Sequence, residues 1–295
     1  MSPTSPADTR PGPNRARLIA DFIAKQRSHL LEHDGDRKRP LMVSMQGPQG
    51  AGKSTLASAL VELLAESYKL RIAVASLDDF YLDRTGLDGL AQAYPNNKML
   101  QGRGPPGTHD SALLARTLQQ IHDHDLTEPS SVSLPIFDKS LFSGRGDRSQ
   151  STIPITPEEL DVFLLEGWSL GFQSLPKERL KTQWDKGRTA KGHSWESVMQ
   201  VNENLAELNR NVNTYFDCHV SITPLDLDYI YTWRLQQEHH MKRDNGGIGM
   251  TDDEVRLFVD RYMPCYELYG EEPVDINNLK LFYGPDREVV EVQEI

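Results

Sequence analysis

Gly47-Pro48-Gln49-Gly50-Ala51-Gly52-Lys53-Ser54 fits the pattern G-x-x-x-x-G-K-[ST] of a phosphate-binding loop, and Thr55 follows directly. Glycines let the backbone turn tightly, so that several N–H groups converge on one anion. Lys53 is expected to reach the β- and γ-phosphates, and Ser54 to set its hydroxyl on Mg²⁺. Before the loop, Leu41-Met42-Val43-Ser44-Met45 reads as a short buried strand, and after it Leu56, Leu60, Leu63 and Leu64 recur at helical spacing. Strand, glycine loop and helix in that order aim the positive end of a helix at phosphate. An ordinary Gly-rich turn would leave Lys-Ser after the last glycine unexplained. The pattern therefore predicts a nucleoside triphosphate site over residues 47–55 and an α/β fold around it.

The rest of the chain alternates between strand and helix patterns. Residues 1–14 are rich in Pro, Ser and Thr and read as a disordered tail, followed by a leading helix over 15–31 with Leu18, Ile19, Phe22, Ile23 and Leu30 as its apolar positions. A polar connection (34–40) leads into the first strand. Further strands are expected at 71–77, at 132–136 with a break at Pro135, at 161–165, and at 218–222. Residues 94–108 carry many Gly, Pro and Asn and must be loop. Helices are expected at 111–122 from an Asp110 cap, at 196–214, at 227–242 and at 252–262. The polar stretch 177–195, with Trp184 and Trp195 embedded, reads as an excursion from the core. No internal repeat is present. The sum is one domain over 15–295, a parallel sheet with helices on both faces.

Composition removes several function classes. A formal net charge of −11 and a pI near 5.3 argue against a sequence-independent nucleic-acid binder. Cys218 and Cys265 are too few and too isolated for a disulfide framework or a zinc site. No apolar run approaches a membrane span, and the N-terminus lacks the apolar core of a secretory signal. A reducing cytosol is the expected compartment, with the nucleus not excluded. No motif sets an oligomeric state. His239-His240 and His122-Asp123-His124 lack further spaced ligands and read as solvated helix ends. Asn97-Lys98-Met99-Leu100 lacks the Asp of a guanine-reading motif, which disfavours a GTPase.

Two acidic groups follow strand ends. Ser76-Leu77-Asp78-Asp79-Phe80-Tyr81 stands directly after the second strand, and ligands of open α/β sheets bind beyond the carboxyl ends of strands. A carboxylate there can accept the proton of a hydroxyl attacking a γ-phosphate, a role open to Asp78 or Asp79. Glu166-Gly167 ends a buried strand, the place of a carboxylate that orders Mg²⁺. Asp161 lies at the opposite end of that strand and reads as structural.

These segments resemble the phosphoribulokinase/uridine kinase/pantothenate kinase group of P-loop kinases, and within it the plant and fungal D-glycerate 3-kinase-like branch. The branch is carried by residues 78–82 (Asp-Asp-Phe-Tyr-Leu), 104–110 (Gly-Pro-Pro-Gly-Thr-His-Asp), 135–140 (Pro-Ile-Phe-Asp-Lys-Ser), 231–236, 249–255 and 261–264. The resemblance runs from about Arg39 to the end of the sequence, apart from the stretch 177–195. It implies a nucleoside-kinase-like three-layer P-loop fold with substrate loops and a helical lid at 231–252. It implies Asp78 as base, Lys53 and Arg234 as catalytic cations, and Arg103, His109 and Asp110 in a loop closing over the acceptor. Asp79, Tyr81 and Lys139 join that substrate set, and an Arg fork suits a carboxylate. Family members often carry Tyr where this chain has Phe137, so a hydroxyl contact is missing there. The implied activity is transfer of the γ-phosphoryl of ATP–Mg²⁺ to a small hydroxy acid, glycerate foremost. Another acceptor of the superfamily (a nucleoside or pantothenate) and a regulatory P-loop ATPase remain open.

Overall fold

Leu41, Val43 and Met45 are buried against one apolar cluster and Met42 against another, as are Val162 and Leu164 against Phe163 and Leu165. Successive strand residues point to opposite faces, so a strand apolar at every position has to be covered on both sides. The computed structural model, which describes residues 13–33, 39–123, 131–142, 144–244, 246–271 and 274–295, shows that covering. In chain order it contains α1 (Pro13–His33), β1 (Leu41–Gln46), α2 (Lys53–Leu63), β2 (Ile72–Ser76), α3 (Arg84–Ala93), α4 (Ser111–His122), β3 (Val132–Asp138), β4 (Asp147–Ile155), β5 (Val162–Gly167), α5 (Lys177–Lys186), α6 (Trp195–Val212), β6 (Cys218–Pro224), α7 (Tyr229–Asp244), α8 (Asp252–Asp260), α9 (Met263–Tyr269), β7 (Asn277–Tyr283) and β8 (Val289–Glu294).

The main sheet has the order β2-β5-β1-β6-β7-β8. Its first five strands are parallel and β8 closes the edge antiparallel to β7, so the sheet is mixed rather than purely parallel. Ile19 and Ile23 of α1 and Leu56 and Leu60 of α2 cover one face. Leu114, Leu118 and Ile121 of α4, with Val198, Val201 and Leu205 of α6, cover the other. Arg39 fixes the start of β1 by a two-pronged pair to Asp217 (2.7 Å each), whose carboxylate also accepts the Met42 N–H at 2.8 Å. Asp161 likewise accepts the Arg71 N–H at 2.8 Å, which makes it the structural residue expected.

Several expectations need correction. The leading helix starts at Pro13, so residues 13 and 14 are not tail; residues 1–12, 34–38 and His124 lie outside the described residues. The strand at 132–136 does not break at Pro135. It runs to Asp138 with a register shift between Pro135 and Phe137, the usual way for a strand to carry a residue without an N–H. Its partner β4 was not anticipated, because Asp147–Ile155 is largely polar and exposed. The stretch 177–195 is not an excursion. It forms α5 and a short turn, and Leu180 and Ala190 are fully buried in the larger cluster. Glu267 holds that turn by accepting the N–H groups of Thr189 and Ala190, and Trp184 Nε1 donates to the carbonyls of Ala190 and His193.

Among the described residues no helix is long and apolar enough to cross a membrane, and no group of His, Cys, Asp and Glu gathers as a metal site. Cys218 and Cys265 are buried free thiols. Because the strands run parallel, the phosphate loop after β1, the acidic turn after β2 and Glu166 at the end of β5 all emerge at the same edge of the sheet.

Candidate active site

The loop after β1 wraps tightly. Gly50 and Gly52 adopt left-handed φ values of 74° and 88°, which side chains resist. A Cβ on Gly47 would come within 3.1 Å of both Ile222 and Lys53, and one on Gly50 within 2.5 Å of the Trp233 carbonyl carbon. Gly52 caps α2, so Lys53, Ser54 and Thr55 form its first turn, where unpaired N–H groups and the helix dipole favour an anion. The loop is anchored to its neighbours: Gly47 N–H donates to the Gly167 carbonyl (3.2 Å), and Gln49 Oε1 accepts the Tyr266 hydroxyl (2.6 Å). The Lys53 ammonium turns back on the Pro48 carbonyl at 3.2 Å. Burial lowers its pKa, against the opposing pull of Glu166 and Asp78. Ser54 Oγ lies 3.5 Å from Glu166 Oε1 at the end of β5, and Glu166 is itself buried.

Asp78 sits in the 3₁₀ turn that leaves β2, capped by Ser76 Oγ at 3.3 Å from its N–H. Tyr81 donates its hydroxyl to Asp78 Oδ1 at 2.9 Å, and Lys139 pairs with Oδ2. Burial alone would raise the Asp78 pKa. The ion pair and hydrogen bond from Lys139, with His109 and Tyr81 adding, reverse that and hold it below the ordinary carboxylate range. Asp79 is engaged elsewhere. Its Oδ1 accepts the Phe137 N–H at 3.0 Å and so pins the β3–β4 hairpin, a supporting role.

The loop at 103–110 is fastened over this turn. Leu82 N–H donates to the Thr108 carbonyl and Asp110 N–H to that of Phe80. His109 stacks on Tyr81 with ring centres 4.5 Å apart. Both of its ring nitrogens are buried without a hydrogen-bond partner among the described residues. Burial outweighs the pull of Asp78 and brings its pKa down to about 4, so the ring is neutral at pH 7. Asp110 caps α4 through the Leu113 N–H (2.9 Å) and pairs with Arg148 (3.2 Å), which gives it a structural role in the loop. Arg103 lies 5.7 Å over the Phe137 ring, and its Nη1 donates to the carbonyls of Gly144 and Arg145. One nitrogen of the expected fork is therefore committed to backbone. Phe137, without a hydroxyl, packs edge-on against Tyr81 at 5.3 Å.

Arg234 is on the first half of α7. Its Nη2 donates to Glu238 at 2.8 Å and its Cζ lies 5.2 Å from the centre of the Phe258 ring, while Nη1 is buried with no partner among the described residues. Glu238, 1% exposed, also accepts the Met250 N–H at 2.7 Å, and Lys242 donates to the Met250 carbonyl. The Gly-rich turn between α7 and α8 is thus folded onto α7. His239 and His240 pair with Asp252 and Asp244 at exposed positions.

The sequence reading missed Tyr262, Tyr266, Arg148 and Glu238. Tyr262 is buried, donates weakly to the Arg103 carbonyl (3.4 Å) and fills the space that a Cβ on Gly104 would need. Its signal was present, as residues 261–264 carry the family pattern. The others are spoken for only by their contacts: Arg148 reaches the Tyr81 carbonyl at 2.7 Å from the unanticipated β4.

A glycine cradle on a helix N-terminus, a paired carboxylate at the next strand end and a second at β5 define a P-loop nucleotide-binding fold. No family model matches the chain. It is 40% identical over 267 residues to the chloroplastic D-glycerate 3-kinase of Arabidopsis thaliana, covering 87% of this chain and 55% of that protein, so it spans about half of that relative. It is 38% identical to the probable ATP-dependent kinase TDA10 of Saccharomyces cerevisiae over 79% of this chain and 78% of that one. The solved D-glycerate 3-kinase of Cryptococcus neoformans superposes with a TM-score of 0.87 at 37% identity, covering 96% of this chain and all of that one. The chain belongs to the D-glycerate 3-kinase-like family of P-loop kinases.

Proposed function

We propose that the protein transfers the γ-phosphoryl group of ATP to a hydroxyl of D-glycerate, giving phosphoglycerate and ADP. The single observation that carries this reading is the Asp78–Lys139 pair at the strand end beside the phosphate cradle. The acceptor oxygen bonds to the γ-phosphorus while the bond from that phosphorus to the β–γ bridging oxygen breaks, and the hydroxyl proton passes to Asp78. Lys139, about half exposed, keeps Asp78 ionised and offers the same ammonium to an incoming carboxylate. A two-pronged grip on that carboxylate falls to the Nε–Nη2 edge of Arg103, since Nη1 is occupied. Neutral His109, with both nitrogens unpaired, is suited to hydrogen-bond the acceptor without adding charge. Residues 47–55 bind the triphosphate, with Lys53 and Arg234 on its outer oxygens. The buried, unpartnered Arg234 Nη1 fits an anionic partner. Ser54 and Glu166, whose oxygens approach to 3.5 Å, would hold Mg²⁺, which when bound neutralises phosphate charge.

Acceptor recognition is tested with Arg103→Lys and a panel of acceptors. The lysine keeps the charge and loses the fork, so the KM for D-glycerate should rise about tenfold or more while that for ATP stays level. Glycerol should be a poor acceptor, because it leaves the cations unpaired. Efficient phosphorylation of glycerol or a nucleoside with D-glycerate inert would refute the carboxylate reading.

Lys53→Ala should lower kcat by roughly 10²–10³-fold, in the range for removal of one preorganised electrostatic contact. The fold should persist, since the cradle depends on its glycines. Unchanged turnover in this variant would remove the loop from the mechanism.

A further inference from the structure

Arg287 stands in the turn between β7 and β8 at a φ of 62°, a left-handed conformation that turns normally give to Gly or Asn. The turn around it is braced from several elements. Gly284 N–H donates to the Glu288 carbonyl and Arg287 N–H to that of Gly284. Arg15 of α1 donates to the Arg287 carbonyl at 2.7 Å, and Trp233 Nε1 to that of Pro285 at 2.6 Å. A side chain held in such a strained and over-determined position is a candidate for function.

What it reaches is the phosphate loop. Arg287 Nε donates to the Gly50 carbonyl at 2.6 Å. Its Nη2 lies 3.3 Å from the Trp233 carbonyl, its Nη1 donates to Gln236 at 2.8 Å, and its Cζ lies 5.4 Å from the centre of the Trp233 ring. One guanidinium therefore ties the apex of the loop to the first turns of α7, the helix that bears Arg234. The two are in direct contact as well: the Trp233–Arg234 peptide fills the space where a Gly50 Cβ would lie. Gly50 has no side chain to fix its peptide and sits at a φ of 74°, in the left-handed region. A Gly50 carbonyl that swung inward would point its negative end at the triphosphate, and a loop that slid along α7 would change the distance from the cradle to Arg234.

We propose that Arg287 is a positioning residue: it holds the Gly50 carbonyl outward and sets the phosphate loop in register with α7 and Arg234. The proposal rests on residues 47–55 being the nucleotide site. It predicts a defect in ATP use with acceptor binding spared, because Arg287 contacts the loop and α7 and none of the groups around Asp78. The fork, rather than the charge, is what the three contacts require.

The experiment compares wild type, Arg287→Gly, Arg287→Lys and Lys53→Ala in steady-state kinetics with ATP and D-glycerate, with ADP titration and thermal melts alongside. Arg287→Gly suits the left-handed backbone, so the turn itself survives and a loss of function is not a loss of the turn. Misplacement of a cradle by a change outside the chemistry can cost up to about 10²-fold, so kcat/KM for ATP should fall by about 10- to 100-fold in Arg287→Gly. Arg287→Lys should recover less than half of that on a logarithmic scale. The KM for D-glycerate should stay within about twofold in both. A kcat/KM for ATP within twofold of wild type in Arg287→Gly overturns the proposal. So does an equal rise in both KM values accompanied by a large drop in Tm, the mark of a general staple, and so does full rescue by lysine. If Lys53→Ala binds ADP and turns over as wild type does, the phosphate-loop reading itself has failed, and the role of Arg287 falls with it.

Discussion

Asp78→Asn should lower kcat by about 10²–10⁴-fold, the range for removal of a positioned general base, with the KM for ATP little changed. Asparagine fills the same volume and can still accept the Tyr81 hydroxyl that now bonds Oδ1. It cannot take the proton of the acceptor, and it cannot balance the charge of Lys139. The pH profile gives a second reading of the same pair. Lys139 holds the Asp78 pKa below the usual carboxylate range, so the wild-type rate should be retained as pH falls through mildly acidic values and be lost only below them. Lys139→Met leaves burial as the dominant influence, which raises the pKa, so the acid limb should move to higher pH. Asp79→Asn should be mild, because its remaining carbonyl oxygen can still accept the Phe137 N–H. A larger loss from Asp79→Asn than from Asp78→Asn, measured in initial rates at saturating ATP, would reverse the assignment within the pair.

Arg234→Ala should reduce kcat by about 10³-fold or more, as expected for a cation that meets the charge of a transferring phosphoryl group. The guanidinium is fixed before any ligand arrives, by Glu238 on one nitrogen and the Phe258 ring beside it. On the proposed reading, that preorganisation would make its unpartnered Nη1 effective toward an anion. Alanine also strands the buried carboxylate of Glu238, which costs stability, so melting curves are needed beside the kinetics. Arg234→Lys separates the two effects. It retains a charge for Glu238 and loses the second arm of the fork, so Tm should largely recover while kcat stays low. Recovery of both together would make Arg234 a partner for Glu238 and nothing more.

The part of this molecule that could be read in the sequence is the part governed by short-range rules. The phosphate loop, the strands of continuous apolar character and the Asp110 cap follow from steric freedom of glycine, two-sided burial and local hydrogen bonding. The β3–β4 hairpin escaped because β4 is polar and exposed along most of its length, which leaves no alternation to detect. The stretch 177–195 was misjudged for a related reason. Its helix is mostly charged, with a short apolar face, and its attachment depends on Leu180, Ala190 and the backbone bonds to Glu267, which lies some 80 residues away in the chain. The site shows the same division. Asp78, Lys53 and Glu166 stand out in the sequence because each lies at a strand end or opens a helix, and the structure brings them to one edge of the sheet. Asp79 and Asp110 carry the same chemistry in neighbouring positions, and only the structure shows the backbone N–H groups that they hold. Arg287 had no motif at all, and its position depends on a turn packed against the first turns of α7.

The most direct test of the account is ADP formation by the purified protein with ATP and Mg²⁺, measured with and without D-glycerate, with the phosphorylated product identified by ³¹P NMR. ADP release should depend on D-glycerate, with one phosphoglycerate formed per ADP and both lost in Lys53→Ala and Asp78→Asn. ADP release that is indifferent to D-glycerate, with inorganic phosphate as the product, would contradict it and mark a P-loop ATPase instead.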